Sequence, residues 1–298
     1  MPYPNWTADD LVDQTGRRIV ITGGNSGIGL AAAHYLAAAG AQVIIAVRDL
    51  AKGWKAAAEI GGGTVVRQLD LADLDSVRAF ATEITEPIDV LINNAGVMNV
   101  PLGRTAQGFE TQFGVNHLGH FALTNLLLPL VADRVVSLSS GAHRIGHIDL
   151  SDLNWQRRRY QRWPAYGQSK LANLLFILDL ERRLTAARSP VRALAAHPGY
   201  SATNLQFHSG NRVMDRMMTI GNRIFAQSQE MGALPIVYAA SQDLPGGSYI
   251  GPNGRRELQG YPTLVGRTAE ASDPKLAEAL WTASEELTGV TFPALTSP

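Results

Sequence analysis

Short apolar segments alternate with helical patterns from residue 17 to residue 196. The apolar segments do not interleave apolar with polar residues, which is typical of strands covered on both faces. Strict strand–helix alternation requires right-handed crossovers and so predicts an α/β fold with a parallel, doubly wound sheet. No linker-like stretch or repeat interrupts the pattern, so we expect a single domain over residues 1–298. Strands are predicted at 17–22, 42–47, 64–69, 88–93, 134–138 and 191–196, and helices at 30–39, 50–60, 73–84, 109–131, 165–187 and 273–287.

The composition excludes several classes of function. The 26 basic and 26 acidic residues balance, which gives no reason to expect nucleic acid as a partner. There are no cysteines, so disulfides, thiol nucleophiles and thiolate metal sites are excluded. No apolar run reaches the roughly 18 residues that a membrane span needs, and residues 1–13 do not resemble a secretory signal. We therefore expect a cytoplasmic protein without a transmembrane segment.

A glycine-rich turn follows the first predicted strand. Gly23, Gly27 and Gly29 stand between that strand and the first helix. Glycine there allows a tight turn and a close approach of the backbone to a pyrophosphate at the helix N-terminus. The spacing differs from the commonest dinucleotide fingerprint, and no Lys-Ser/Thr follows as in a P-loop. The turn therefore predicts a dinucleotide site.

The end of the second strand indicates which dinucleotide is bound. An acidic residue there would hold a ribose 2′-hydroxyl, whereas an arginine would accept a 2′-phosphate. Here Arg48 follows the strand and the first carboxylate, Asp49, comes after it. We therefore expect NADP(H). The alternative is that Arg48 is a surface residue paired with Asp49.

Tyr166 and Lys170 are four residues apart in a predicted helix, so they share one face. An ammonium about 4 Å from a phenolate would stabilise it by roughly 4 kcal/mol at an effective dielectric near 20. As an upper bound, this would lower the tyrosine pKa from about 10 towards 7. Such a phenol could serve as a general acid or base.

These motifs occur in a fixed order with others. Residues 22–29 (TGGNSGIG), Asp70, residues 93–96 (NNAG), residues 115–121 (VNHLGHF) and Ser139-Ser140 precede Tyr166 and Lys170, and Pro198-Gly199 follows them. Together they resemble the short-chain dehydrogenase/reductase family, and within it the retinol dehydrogenase-like branch. The resemblance implies a Rossmann-type, doubly wound, seven-stranded parallel sheet with helices on both faces. It places the seventh strand near 248–250.

The resemblance also implies roles in catalysis. Tyr166 would donate or accept the proton, and Ser140 would hydrogen-bond the substrate oxygen. Lys170 would bind the nicotinamide ribose and lower the Tyr166 pKa, and Asn116 would hold a water in a proton relay. Choosing Ser140 over Ser139 rests on the resemblance alone. The cofactor-binding residues would be Gly23, Asn25, Ser26, Gly27, Ile28, Gly29, Arg48, Asp70, Leu71, Asn94, Ala95, Gly96, Tyr166, Lys170, Pro198, Gly199 and Thr203.

Two segments bear on the substrate and on assembly. Tyr166 follows Ser140 by 26 residues, and the extra length forms an insert at 145–164. The insert precedes the helix that family members often use to dimerise, so we expect a homodimer, or a monomer if the insert blocks pairing. Residues 204–228 are loose and apolar; they are either the family's substrate lid or a helix that covers the core.

The histidines do not predict a metal site. His117 and His120 are three residues apart, and His143 and His147 are four apart, but no carboxylate stands at ligand spacing. We expect no bound metal.

The sequence thus predicts an NADP(H)-dependent oxidoreductase that interconverts a carbonyl and an alcohol. Its partner would be a lipophilic small-molecule aldehyde, ketone or alcohol. The alternatives are reduction of an activated C=C bond, or a non-catalytic NADP-binding sensor.

Overall fold

Eight strands form one sheet in the computed structural model, which describes residues 5–200 and 227–295. Numbered β1 to β8 along the chain, they lie side by side in the sheet in the order β3-β2-β1-β4-β5-β6-β7-β8. Neighbouring strands from β3 to β7 run parallel, and β8 pairs antiparallel with β7. The strands are β1 (Arg18–Thr22), β2 (Gln42–Val47), β3 (Val65–Gln68), β4 (Ile88–Asn93), β5 (Val131–Leu138), β6 (Arg192–Ala196), β7 (Tyr249–Pro252) and β8 (Pro262–Leu264).

The fold class expected from the sequence is confirmed, but the strand count is wrong by one. The expected seventh strand is β7. The additional strand β8 has three residues and begins with Pro262, which lacks the backbone donor that an inner strand needs. So short an edge strand leaves no apolar run in the sequence.

Helices cover both faces of the sheet. On one face α1, α2 and α7 pack on the alternate strand residues that include Ile19, Ile21 and Ile45. On the other face α3, α5, α6 and α8 pack on residues that include Val20 and Leu91. The helices are α1 (Gly27–Ala38), α2 (Leu50–Ile60), α3 (Leu74–Glu83), α4 (Thr111–Phe113), α5 (Gly119–Leu127), α6 (Arg162–Ala186), α7 (Gln229–Ser241) and α8 (Pro274–Thr288).

The helix expected over 109–131 is shorter and irregular. A π-helical turn, Gly114–Leu118, separates α4 from α5, and a 3₁₀ turn at Leu128–Leu130 ends the segment. Pro129 lacks a backbone N–H and cannot continue an α-helix. Strand β5 therefore begins at Val131, three residues before the predicted start. The π turn is local, and helical periodicity does not reveal it.

Helix α7 was not predicted. It is buried on all sides from Gly232 to Ala240, so it has no polar face, and Pro235 lies inside it. Amphipathic periodicity is the main helix signal in a sequence, and α7 lacks it. Among the described helices, none is at once long and apolar enough to cross a membrane.

Helix α8 packs on α6 through aromatic rings. Trp281 stacks on Phe176 with the ring centroids 5.6 Å apart, and the Arg183 guanidinium lies 4.3 Å from the Trp281 ring centroid. Helix α8 thereby covers part of the outer face of α6, and α6 carries two of the candidate site residues on its inner face.

Candidate active site

A cavity of about 880 Å³ lies at the carboxyl ends of the parallel strands, where ligands bind in open α/β sheets. Of the residues proposed from the sequence, Asn116 does not line this cavity but lies behind its lining. Thr203 and residues 204–226 of the expected lid lie outside the described residues. Those that line the cavity are Gly23, Asn25, Ser26, Gly27, Ile28, Gly29, Arg48, Asp70, Leu71, Asn94, Ala95, Gly96, Ser140, Tyr166, Lys170, Pro198 and Gly199.

The glycine turn is tight for reasons of backbone geometry. Gly23 and Gly27 have φ values of 69° and 58°, in the left-handed region that favours glycine. A Cβ on Gly29 would overlap the Asn94 side-chain amide and lie 2.6 Å from the Gly23 carbonyl oxygen. Ser26 begins α1 without a side-chain hydrogen bond to the helix, so the first N–H groups of α1 face the cavity unpaired by a cap. An anion such as a pyrophosphate fits this helix end.

Thr22 fixes the turn to the neighbouring strand, and sequence reasoning missed it. Its hydroxyl accepts hydrogen bonds from the backbone N–H groups of Asn94 and Ala95, each at 2.9 Å. It lies 2.9 Å from His120 Nε2, and His120 Nδ1 lies 3.0 Å from the Asn116 carbonyl. A carbonyl can only accept, so Nδ1 carries the proton and Nε2 accepts from Thr22. Burial lowers the pKa of His120 to about 4, which keeps the ring neutral.

Arg48 lies exposed at the end of β2 and lines the cavity. Among the described residues, Asp49 forms no ion pair with Arg48. Its carboxylate instead caps α2 through the backbone N–H of Lys52 at 3.2 Å and lies 3.5 Å from the Lys52 ammonium. Asp49 and Lys52 also line the cavity, so two cations and one carboxylate border this end of it. Sequence reasoning missed Lys52, although its place one turn into α2 was a usable signal.

Tyr166 and Lys170 project from α6 into the floor of the cavity. Tyr166 is 8% exposed, and burial raises its pKa to about 12, although a hydrogen bond with the Ser140 side chain opposes this rise. The Lys170 ammonium lies 5.7 Å from the Tyr166 ring centroid and donates to the Leu138 carbonyl at 3.1 Å. Burial lowers the Lys170 pKa to about 8. Burial thus dominates the pKa of the phenol, in the direction opposite to the effect expected of the Lys170 charge.

Ser139 and Ser140 follow β5 and point to different partners. The Ser139 hydroxyl donates to the Lys170 carbonyl at 2.8 Å and is buried. Ser140 caps a 3₁₀ turn, accepts from the Ala142 N–H at 3.2 Å and hydrogen-bonds the Tyr166 side chain. Of the two hydroxyls, only that of Ser140 lies beside the hydroxyl of Tyr166.

Asn116 sits in the π-helical turn, close to Lys170. Its side-chain amide donates to the Val97 carbonyl and the Ser169 hydroxyl, each at 2.9 Å, and its oxygen accepts from the Val97 N–H at 2.8 Å. A Cβ on Gly96 would lie 3.0 Å from that oxygen and 3.6 Å from the Lys170 ammonium. The turn thus holds the backbone at residues 96–97 against the floor of the cavity.

The paired histidines have separate protein partners. His117 lies 2.9 Å from the Ser284 hydroxyl, and burial lowers its pKa to about 3. His143 contacts the Ser140 carbonyl, whereas His147 lies 2.9 Å from Glu270 at the surface. Within residues 5–200 and 227–295, no group of three or more His, Asp or Glu side chains is arranged to hold a metal ion.

The first turn of α6 and two connecting segments line the remaining part of the cavity, with residues that sequence reasoning missed. Trp163, at the end of the insert, is 40% exposed, and its ring meets the Tyr166 ring edge to face at 6.1 Å. Arg144, Glu257 and Leu258 also line it. Arg144 and Glu257 are 113 positions apart, so no local pattern could have paired them.

Comparison with known proteins gives a consistent family. A family model described as short chain dehydrogenase matches residues 17–212. Human retinol dehydrogenase 13 is 43% identical over 298 residues, which cover 94% of this chain and 87% of that protein. Mouse polyprenol dehydrogenase is 38% identical over 94% of this chain and 86% of its own length.

A solved structure is similar over almost its full length. It is the crystal structure of an uncharacterised protein from Mycobacterium paratuberculosis, 54% identical, with a TM-score of 0.86, covering 97% of this chain and 99% of that one. The family model matches more than half of the chain, and the curated relatives match nearly all of it. The chain therefore belongs to the short-chain dehydrogenase family, in which it is similar to the retinol dehydrogenases.

Proposed function

We propose that this protein is an NADP(H)-dependent oxidoreductase that interconverts a carbonyl and an alcohol on a lipophilic small molecule. Tyr166 acts as the acid or base, and Ser140 and Lys170 assist it. The family is one of dehydrogenases that use a nicotinamide dinucleotide. The observation that carries the proposal is the meeting of these three side chains on the floor of one cavity that also contains the glycine turn.

The residues at the other end of this cavity fit such a dinucleotide. The open N-terminus of α1 and the left-handed Gly23 and Gly27 leave room for a pyrophosphate beside the backbone. Asn94, Ala95 and Gly96 would lie beneath a ribose, and Asp70 and Leu71 beside the adenine. When bound, the nicotinamide group supplies the hydride.

The proton chemistry follows from burial. With a pKa of about 12, Tyr166 stays protonated at neutral pH and can donate to the oxygen of a carbonyl as negative charge develops there. Ser140 donates a second hydrogen bond to the same oxygen. Lys170, with a pKa of about 8, is largely charged at pH 7 and stabilises the tyrosinate left after the transfer. In the reverse direction the tyrosinate form of Tyr166, stabilised by the Lys170 ammonium, accepts the proton from the alcohol.

NADP(H) is favoured over NAD(H) by charge. Arg48 and Lys52 both line the adenosine end, and Asp49, the first carboxylate after β2, is engaged with Lys52. An arginine guanidinium can bind a 2′-phosphate through two charged hydrogen bonds. A ribose 2′-hydroxyl carries no negative charge and cannot form this contact.

A lipophilic substrate is supported by two observations. The cavity wall near Tyr166 carries Val97, Met98, Trp163 and Leu258. The relatives are named for retinol and polyprenol, both alcohols with long apolar chains. Apolar walls that carry a small number of polar groups, here Arg144, Arg256 and Glu257, are typical of small-molecule sites.

The experiment that tests the proposal is the substitution of Tyr166 by Phe. The hydroxyl is lost and the ring stays, so we expect NADPH to bind within twofold of the parent and kcat for aldehyde reduction to fall at least 100-fold. Kd by NADPH fluorescence and kcat by NADPH oxidation measure the two effects. Retention of parental turnover would refute the assignment. Identification of an alcohol product separates carbonyl reduction from C=C reduction, and absence of any turnover in the parent would favour a sensor.

We also propose that the chain is a monomer. The support for this proposal is that α8 occupies part of the surface of α6 through Trp281 and so reduces the area of α6 that is open to a second copy. Light scattering coupled to size exclusion decides between one copy and two.

A further inference from the structure

The loop between β7 and β8, residues 253–261, lies at the end of the cavity nearest Ser140. We name it the Glu257 loop. Arg256, Glu257 and Leu258 all line the cavity. The base of the loop is closed by backbone hydrogen bonds from residue 253 to 261 and from 254 to 259, at 2.8 and 2.9 Å.

Glu257 ties this loop to two segments of the active site. The Arg144 guanidinium donates to both carboxylate oxygens, at 2.9 and 3.1 Å. His197, 1% exposed, places Nε2 3.2 Å from the same carboxylate, a close contact that lacks hydrogen-bond geometry. The Gly199 N–H donates to His197 Nδ1 at 3.2 Å, so Nδ1 is the acceptor and the proton of a neutral ring lies on Nε2, facing Glu257.

The loop carries backbone strain where it is tied. Arg256 and Glu257 have φ values of 55° and 57°, and both are non-glycine residues in the left-handed region. Strained conformations of this kind persist only where surrounding contacts hold them. Among the described residues, the holding contacts include the Glu257 carboxylate with Arg144, and the Leu258 carbonyl, which accepts from the Tyr200 N–H at 2.8 Å.

We propose that Glu257 is a specificity-determining residue, which acts by positioning. Bound to Arg144, it holds the Glu257 loop across the substrate end of the cavity and keeps Leu258 against the substrate. The inference rests on the proposed function. A short apolar substrate that stays near Tyr166 depends on Leu258 to complete its apolar contact. A long one extends past the loop and gains most of its contact elsewhere. Glu257 therefore sets the preference for substrate length.

The test compares hexanal and dodecanal as substrates, with NADPH. Glu257→Ala should raise KM for hexanal at least fivefold, change KM for dodecanal less than twofold and leave kcat within twofold. Arg144→Ala should shift the profile in the same direction. Each substitution removes the same contact, that between Arg144 and Glu257. The KM of the double variant for hexanal should therefore be no higher than that of the more affected single variant. Arg255→Ala is the control, because it removes a cation from the same loop at an exposed position that does not line the cavity. It should leave kcat and the KM values for both aldehydes unchanged.

The outcomes separate the two proposals. An equal rise of KM for both aldehydes, or a fall in kcat with unchanged KM values, overturns the role of Glu257. If Glu257→Ala does not fold, as thermal unfolding will show, Glu257→Gln replaces it with the same expected direction. Turnover by the parent with an unchanged length profile in the variants overturns this inference alone. No turnover by the parent with any aldehyde overturns the proposed function, and this inference with it.

Discussion

The two ends of the cavity are formed by different kinds of residue. The glycine-turn end consists of backbone and short side chains that follow directly after buried strands, and Thr22 and His120 hold it through buried hydrogen bonds. The substrate end carries long side chains, Trp163 in the first turn of α6 and Arg144 and Glu257 on connecting segments, and an ion pair joins the last two. The first end has almost no freedom to change its shape, whereas the second can change its lining without disturbing the sheet.

This difference separates what can vary from what cannot. In a close-packed region a single added methyl group displaces backbone, and the cost is large. On exposed connecting segments a substitution changes only the surface that a ligand meets. We therefore expect substitutions within the buried glycine turn to act on cofactor binding and stability together. Those at the substrate end should act on substrate KM alone.

The largest effect is expected for Gly29→Ala. The new Cβ would overlap the Asn94 amide and lie 2.6 Å from the Gly23 carbonyl, so the turn must move. We expect the NADPH Kd to rise at least 100-fold, about 2.7 kcal/mol, and the free energy of unfolding to fall by about 1–3 kcal/mol. Fluorescence titration and urea unfolding measure these.

Gly266→Ala is the matched control for that experiment. A Cβ at Gly266 meets no atom within 4 Å, and the residue does not line the cavity. Both measurements should match the parent. If Gly29→Ala binds NADPH as tightly as Gly266→Ala does, the turn is not the rigid cofactor cradle described above.

A smaller effect is expected for Arg48→Gln, at the exposed margin of the same end. Loss of a charged contact with a 2′-phosphate should lower the preference for NADPH over NADH about tenfold, while the free energy of unfolding stays within about 0.5 kcal/mol. The ratio of kcat/KM for the two cofactors measures the preference. Arg67→Gln, exposed at the adjacent strand β3 and away from the cavity, is the control. An unchanged ratio in Arg48→Gln would contradict the NADP assignment.

The same division explains what the sequence revealed. Local patterns in the sequence predicted three features: the positions of strands β1 to β6 along the chain, the glycine turn, and the Tyr166–Lys170 pair. The contact between Arg144 and Glu257 spans 113 positions and depends on the packing of the whole chain. Strand β8 and helix α7 were missed because a three-residue edge strand and an all-buried helix carry no periodic signal.

The expected lowering of the Tyr166 pKa by Lys170 left out a second effect, the burial of both groups. Helical spacing correctly placed Lys170 on the same face, but the sequence does not show how deeply both groups are buried. Burial disfavours the charged forms of both, so it raises the pKa of the phenol to about 12 and lowers that of the ammonium to about 8. Spacing gives proximity, whereas desolvation is a property of the folded chain.

The smallest effect is expected at the substrate end, for Trp163→Ala. The indole is 40% exposed and touches Tyr166 only edge to face, so its loss should leave the fold and the NADPH Kd unchanged. It removes part of the apolar wall, and we expect KM for a lipophilic aldehyde to rise about fivefold, roughly 1 kcal/mol, with kcat within twofold.

Trp54→Ala controls for the loss of an exposed tryptophan. Trp54 is 62% exposed on α2 and does not line the cavity, so its KM should equal that of the parent. If Trp163→Ala weakens NADPH binding or unfolds more easily than Trp54→Ala does, the two ends are mechanically coupled and the division between them is wrong. A rise in aldehyde KM alone would show that the substrate end can be altered while the glycine-turn end keeps its shape, which is the arrangement a family needs to bind one cofactor with many substrates.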